Sequence, residues 1–208
     1  MLIKNGKIFT MLEDTPLERA DLRIKGKKIA EIGKDLKPEK DEGVINAQGH
    51  WVLPGFIDGH THLGIHESGL GFEGNDTNER SDPFTPQLRA IDGCNPNDVD
   101  FRDAVQAGVT MAMVGPGSGN TVGGGFMTIR TWGQDIDEMV IDPYSAMKCA
   151  FGENVRRLYG TQGKLPVTRM GTASILRKAL TDARNYQAHK AAAAEKGEVF
   201  DINLQYEP

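Results

Sequence analysis

Trp51-Val-Leu-Pro-Gly-Phe-Ile-Asp-Gly-His-Thr-His-Leu63 is the stretch that decides how the chain is read. It begins as an apolar run and ends in His60 and His62, two positions apart. Side chains at i and i+2 of an extended segment leave on the same side, with Cα atoms ~6.5–7 Å apart. Two imidazoles so placed can converge on one metal ion, and Asp58 shares their parity. An apolar strand ending in His-x-His fits the first strand of a β/α barrel, a fold that keeps its chemistry at the C-terminal rim of the strands. The alternative is a surface histidine pair at a strand end. The flanking Pro54-Gly-Phe-Ile-Asp-Gly59 favours the metal reading.

Working outward, the residues before this stretch read as short strands. Leu2 to Phe9 carries Asn5-Gly6 between apolar segments, a hairpin signal. Ala20 to Gly33 repeats the form around Gly26, with Leu22, Ile24, Ile29 and Ile32 expected to share a core. Gly43 to His50 adds another short strand. No helices separate these strands, so residues 1–50 are not the start of a parallel barrel. From residue 51 strands alternate with helices, and residues 51–208 are predicted as a second domain. Its strands are expected at 51–58, 109–114, 126–131 and 145–151. A long polar loop runs from His66 to about Asn97. Helices are expected over 98–108, stopped by Gly108, and over 175–196, stopped by Gly197. The last residues, Asp201 to Pro208, read as the opening of a further helix.

The totals bound the function. The chain has 208 residues, 38% of them hydrophobic, enough for a folded core. Twenty-five glycines favour a loop-rich α/β enzyme over a helical bundle. A net charge of −5 without a basic run argues against nucleic acid or an anionic membrane as partner. No segment has the length of a membrane span or the form of a signal peptide, so the expected setting is the cytoplasm. Cys94 and Cys149 lack metal-type spacing and read as free thiols.

Pro54-Gly-Phe-Ile-Asp-Gly-His-Thr-His62 resembles the first metal motif of the amidohydrolase superfamily, which includes dihydroorotases, imidazolonepropionases and cyclic-amide hydrolases. Gly71–Pro86, Gly115–Gly125, Met147–Asn154 and Arg169–Gly171 are similar to segments of its imidazolonepropionase-like group. The resemblance implies an α/β fold: part of a small β-sandwich, then about the first four units of a (β/α)8 TIM-type barrel. It implies a metal-dependent hydrolase that acts on carbon–nitrogen bonds of a small amide or cyclic amide through a metal-activated water. The ion, zinc by ligand type, is present once or twice, and the full-length protein is a homo-oligomer. A complete barrel takes about 250 residues, more than this whole chain, so the resemblance covers the N-terminal half of such a protein. The histidines expected at strands five and six and the aspartate at strand eight find no counterpart here. The chain alone is therefore expected to be inactive; a non-catalytic assembly module and one half of a split enzyme are the alternatives.

Residue by residue, His60 and His62 are the expected metal ligands, with Asp58 as partner to an imidazole or as a turn cap. Lys148 lies in an otherwise apolar predicted strand, where an unpaired ammonium is costly. The resemblance implies a carboxylated lysine bridging two ions; the plain alternative is a lysine that snorkels past the strand end. Glu153, just beyond, is the alternative ligand for a single ion. His66 and Arg130 are candidates for substrate contact, Arg130 through a bidentate bond to a carboxylate.

Overall fold

The computed structural model describes residues 1–207. It divides into two compact units, Met1–Gly55 and Phe56–Pro208, each taken by itself here. No helix among the described residues is long and apolar enough to cross a membrane.

The first unit is one sheet of β1 (Leu2–Ile8), β2 (Leu17–Lys25), β3 (Lys28–Gly33), β4 (Val44–Asn46) and β5 (Trp51–Val52). Its order is β3-β2-β1-β4, and β5 also pairs with β1. The β2–β3 hairpin turns at Gly26, in the left-handed region at φ 59°. Asn5-Gly6 does not turn the chain. It is an irregularity inside the continuous β1, with Asn5 at φ 55° and its N–H donated to buried Asp21. A Cβ on Gly6 would meet Val52 Cγ2 at 2.7 Å, so the position needs glycine for close packing. Of the four residues expected in one core, Leu22 is buried with Ile8 and Ala20, and Ile24 packs on them. Ile29 and Ile32 lie exposed because β3 is an edge strand.

Pro54 divides the predicted first barrel strand. It has no N–H for a ladder, so Trp51–Val52 pairs with β1 and a separate β6 (Phe56–Thr61) opens the second unit. β7 (Val109–Val114), β8 (Val122–Arg130) and β9 (Val140–Cys149) complete a sheet of order β6-β7-β8-β9. β6 and β7 are parallel; β8 is antiparallel to both its neighbours. Four consecutive βα units are therefore not what these strands form. The link from Gly115 to Thr121 is shorter than the roughly dozen residues a parallel crossover needs, so β8 returns the other way. β9 then runs in the same sense as β6 and β7, and the C-terminal ends of all three reach one edge of the sheet.

One face of β7 and β8 packs Ala112, Val114, Met127 and Ile129 against α1 (Ala90–Gly93), α2 (Val99–Gln106) and α3 (Ile136–Met139) through Ala90, Phe101 and Met139. Asp98 caps α2 through its side chain, and Gly108 follows its end at φ 84°, as the sequence predicts. Two further helices are α4 (Glu153–Gly160), which the sequence reading missed, and α5 (Arg169–Lys196). Thr168 caps α5 and Gly197 ends it in the left-handed region. The segment expected to open another helix is irregular with a turn from Asp201 to Glu207; Pro208 is outside the described residues.

Candidate metal centre

The site forms at the edge where β6, β7 and β9 end. The Asp58 carboxylate accepts the backbone N–H of His60 at 3.0 Å. Asp58 therefore shapes the end of β6 rather than orienting an imidazole, which settles its two sequence readings in favour of the turn. The rings of His60 and His62 lie with centroids 5.6 Å apart and planes at 78°. His62 Nδ1 is 2.6 Å from the carbonyl oxygen of Gly115, at the end of β7. A carbonyl only accepts, so Nδ1 carries the proton, and in the neutral ring Nε2 keeps its lone pair for a ligand.

Lys148 comes from β9, paired with Gly124 of β8. Its Nζ is 3.4 Å from His60 Nε2, across 88 positions of sequence. Two glycines of β8 lie beside it. A Cβ on Gly123 would touch Lys148 Cγ at 3.5 Å, and one on Gly124, at φ 112°, would meet the Leu88 carbonyl oxygen at 2.4 Å. The buried ring of Phe126 is 5.3 Å from the His60 ring and 5.6 Å from Lys148 Nζ. It occupies the space a Cβ on Gly115 would need, at 2.2 Å.

Burial, the Lys148 cation and His62 together lower the His60 pKa, against a weaker opposing effect of Asp58. Burial also lowers that of Lys148, opposed by Cys149. Both shifts favour neutral nitrogens, the form that binds a metal ion, and for lysine the form that reacts with CO₂.

The remaining candidates sit elsewhere. Glu153 is exposed at the first position of α4. His66 is exposed in the loop, its backbone bridged to Asn75. Arg130 ends β8, which is antiparallel, so it lies at the opposite edge and reaches the Glu138 carbonyl oxygen at 3.4 Å. Its strand was expected to run the other way. Cys94 and Cys149 are free, and burial, with Asp98 and Glu67, pushes the Cys94 thiol up to about 12. Among the described residues no three His, Cys, Asp or Glu side chains are grouped to hold an ion. The donors that converge are two imidazoles and one lysine. This set fits part of a metal centre, since imidazole nitrogen suits zinc.

No family model matches the chain. A solved amidohydrolase from Thermotoga maritima is similar over 99% of this chain and 53% of its own, with TM-score 0.92 and 35% identity. Amidohydrolase tasK from Hapsidospora irregularis is 37% identical over 157 residues, 69% of this chain and 16% of that protein. A Staphylococcus aureus dihydroorotase is 45% identical over 62 residues, 30% of this chain and 14% of the enzyme. The chain thus spans about half the length of the Thermotoga structure and a smaller share of the curated relatives it matches.

Proposed function

Because the chain belongs to the amidohydrolase superfamily, we propose that it supplies the first metal ligands of a hydrolase that cleaves carbon–nitrogen bonds of small amides or cyclic amides. The observation that carries this is the approach of Lys148 Nζ to His60 Nε2, beside His62, from strands far apart in sequence. His60 and His62 would hold a divalent ion, zinc by ligand type, through their nitrogens. Lys148, as a neutral amine that adds CO₂ and gives up a proton to solvent, would supply carbamate oxygen to such an ion. When bound, such an ion polarises a carbonyl and lowers the pKa of water to ~7. The Gly115 carbonyl fixes the His62 ring, and Phe126 closes the apolar side of the site against water.

The four-stranded sheet is read as part of a (β/α)8-type barrel, supported by the likeness to the Thermotoga protein. The further ligands and the general base then come from chain matching the rest of that protein. Turnover is read out as amide hydrolysis by a protein containing both parts. For this chain, labelled bicarbonate gives a carbamate carbon resonance that Lys148→Arg lacks. A wild-type chain without that resonance, at saturating bicarbonate and zinc, removes the lysine from the centre.

A further inference from the structure

A cleft of about 340 Å³ opens beside α4 and is lined by Asn78, Arg80, Ser118, Asn154 and Arg157, with no carboxylate in its wall. Ser118 belongs to the loop from β7 to β8, whose first residue, Gly115, receives the His62 bond. α4 starts just after β9, which carries Lys148. The cleft is thus built from the segments that follow the strand ends of the candidate metal centre.

Its polar groups are held in place from below. The buried Tyr159 hydroxyl donates to the carbonyls of Glu79 and Asp82, each at 2.8 Å, on either side of Arg80. Asn120, also buried, donates to the Asp82 carbonyl at 2.8 Å. Across the cleft, Asn154 donates to Ser118 Oγ at 2.9 Å and accepts from Arg157 at 3.4 Å. Ser118 keeps its own hydroxyl proton to donate. The neighbouring Glu79 carboxylate accepts the Ser81 N–H at 3.0 Å and makes no salt bridge to Arg80. Neither Arg80 nor Arg157 forms an ion pair among the described residues. Arg80 also borders an adjoining cleft lined by Asp76, Glu79 and Asp92, so the two guanidiniums converge only on the side facing Ser118 and Asn154.

We propose that this cleft binds an oxyanion, a carboxylate or a phosphate, carried by the substrate. Arg80 and Arg157 supply charged forked donors and Ser118 a hydroxyl donor. The proposal rests on the hydrolase reading only in assigning the anion to the substrate. It names the substrate class as anionic amides, held by their charge beside the scissile bond.

The test is isothermal titration of the full chain at low ionic strength with inorganic phosphate and, separately, with succinate, each with a chelator present. Saturable binding of at least one is expected, and which one binds separates phosphate from carboxylate. Arg80→Gln and Arg157→Gln should each weaken it about tenfold or more, the effect of losing a charged hydrogen-bond donor. Both side chains are exposed, and a wild-type circular-dichroism melt confirms that each variant is folded. Arg130→Gln, at the opposite edge of the sheet, should bind as wild type does. Absence of saturable binding of both probes, or wild-type affinity in both arginine variants, overturns the proposal. So does an equal loss of binding in Arg130→Gln, since any lost surface guanidinium would then have the same effect. Anion binding by a wild-type chain that, in a separate loading without chelator, retains no zinc leaves the cleft standing and sinks the hydrolase reading alone.

Discussion

The two units use charge in opposite ways. In the first, Arg23 is buried on β2 and enclosed by acids: Glu42 at 3.0 Å, Glu31 in a direct pair and Glu39 at 3.8 Å. Buried Asp21 accepts the backbone N–H groups of Asn5 and Leu36 and faces Lys4 at 3.7 Å. These groups are answered within the unit, and their work is to fix a small sheet with a small core. In the second unit, Lys148, Arg80 and Arg157 form no salt bridge among the described residues, although Arg89–Asp92 and Lys178–Asp182 pair on its surface. Groups left unanswered by their own fold are the ones available to a ligand. The difference teaches that a buried ion pair marks architecture here, whereas an unmatched cation at the strand ends marks a site.

The chain has two tryptophans, Trp51 in the first unit and Trp132 in the second. Trp132→Phe and Trp51→Phe backgrounds therefore report on one unit at a time during denaturant unfolding. The largest effect is expected from Phe126→Ala. Truncating a buried phenylalanine costs about 3–5 kcal/mol, which should lower the Trp132 transition and leave that of Trp51 in place. Equal loss in both transitions would break the division into separately stabilised units. Gly124→Ala comes next, at about 1–3 kcal/mol for overpacking. Its Cβ would also force the Leu88 carbonyl away, so that a glycine-dependent Lys148 position should be lost along with metal retention. A variant that keeps full metal content would show that the glycine run serves packing alone.

Acid sharpens the comparison from the other side. The Glu39 N–H and Arg23 hold the Glu42 carboxyl below the usual carboxylate range. A folded pKa depressed in this way adds stability above the unfolded pKa, and that stability is lost as pH falls through the folded value. The Trp51 transition should therefore weaken toward low pH, and Glu42→Gln should flatten the dependence. An unchanged pH profile in Glu42→Gln would remove the ion pair from the account. The smallest effect is Thr168→Ala at the N-cap of α5, about 1 kcal/mol, visible in the Trp132 transition only.

Much of the site was legible because local chemistry sets it. The parity of His60 and His62 needs only an extended backbone, and Lys148 stands out as a cation in an apolar strand. The direction of β8 was not legible, since an apolar, glycine-rich strand reads the same in either sense. Arg130 was misplaced with it. The signal that would have corrected both is the short link after Val114. The break between β5 and β6 was readable from Pro54, which has no N–H for a ladder. The Arg80 and Arg157 cleft depends on a loop and on α4, which is only eight residues long and begins just after β9 without a side-chain cap. Tyr159, reaching back to the carbonyls of Glu79 and Asp82, and Asn154, bonded to Ser118, help bring those distant segments together.

The central claim is that His60, His62 and Lys148 are ligands waiting for an ion rather than a surface cluster. Metal content of the purified full chain, measured by inductively coupled plasma mass spectrometry after zinc loading and desalting, tests it most directly. Wild type should retain zinc, and His60→Ala and His62→Ala should each lose most of it while unfolding as wild type does. An equal zinc load in His62→Ala would contradict the claim.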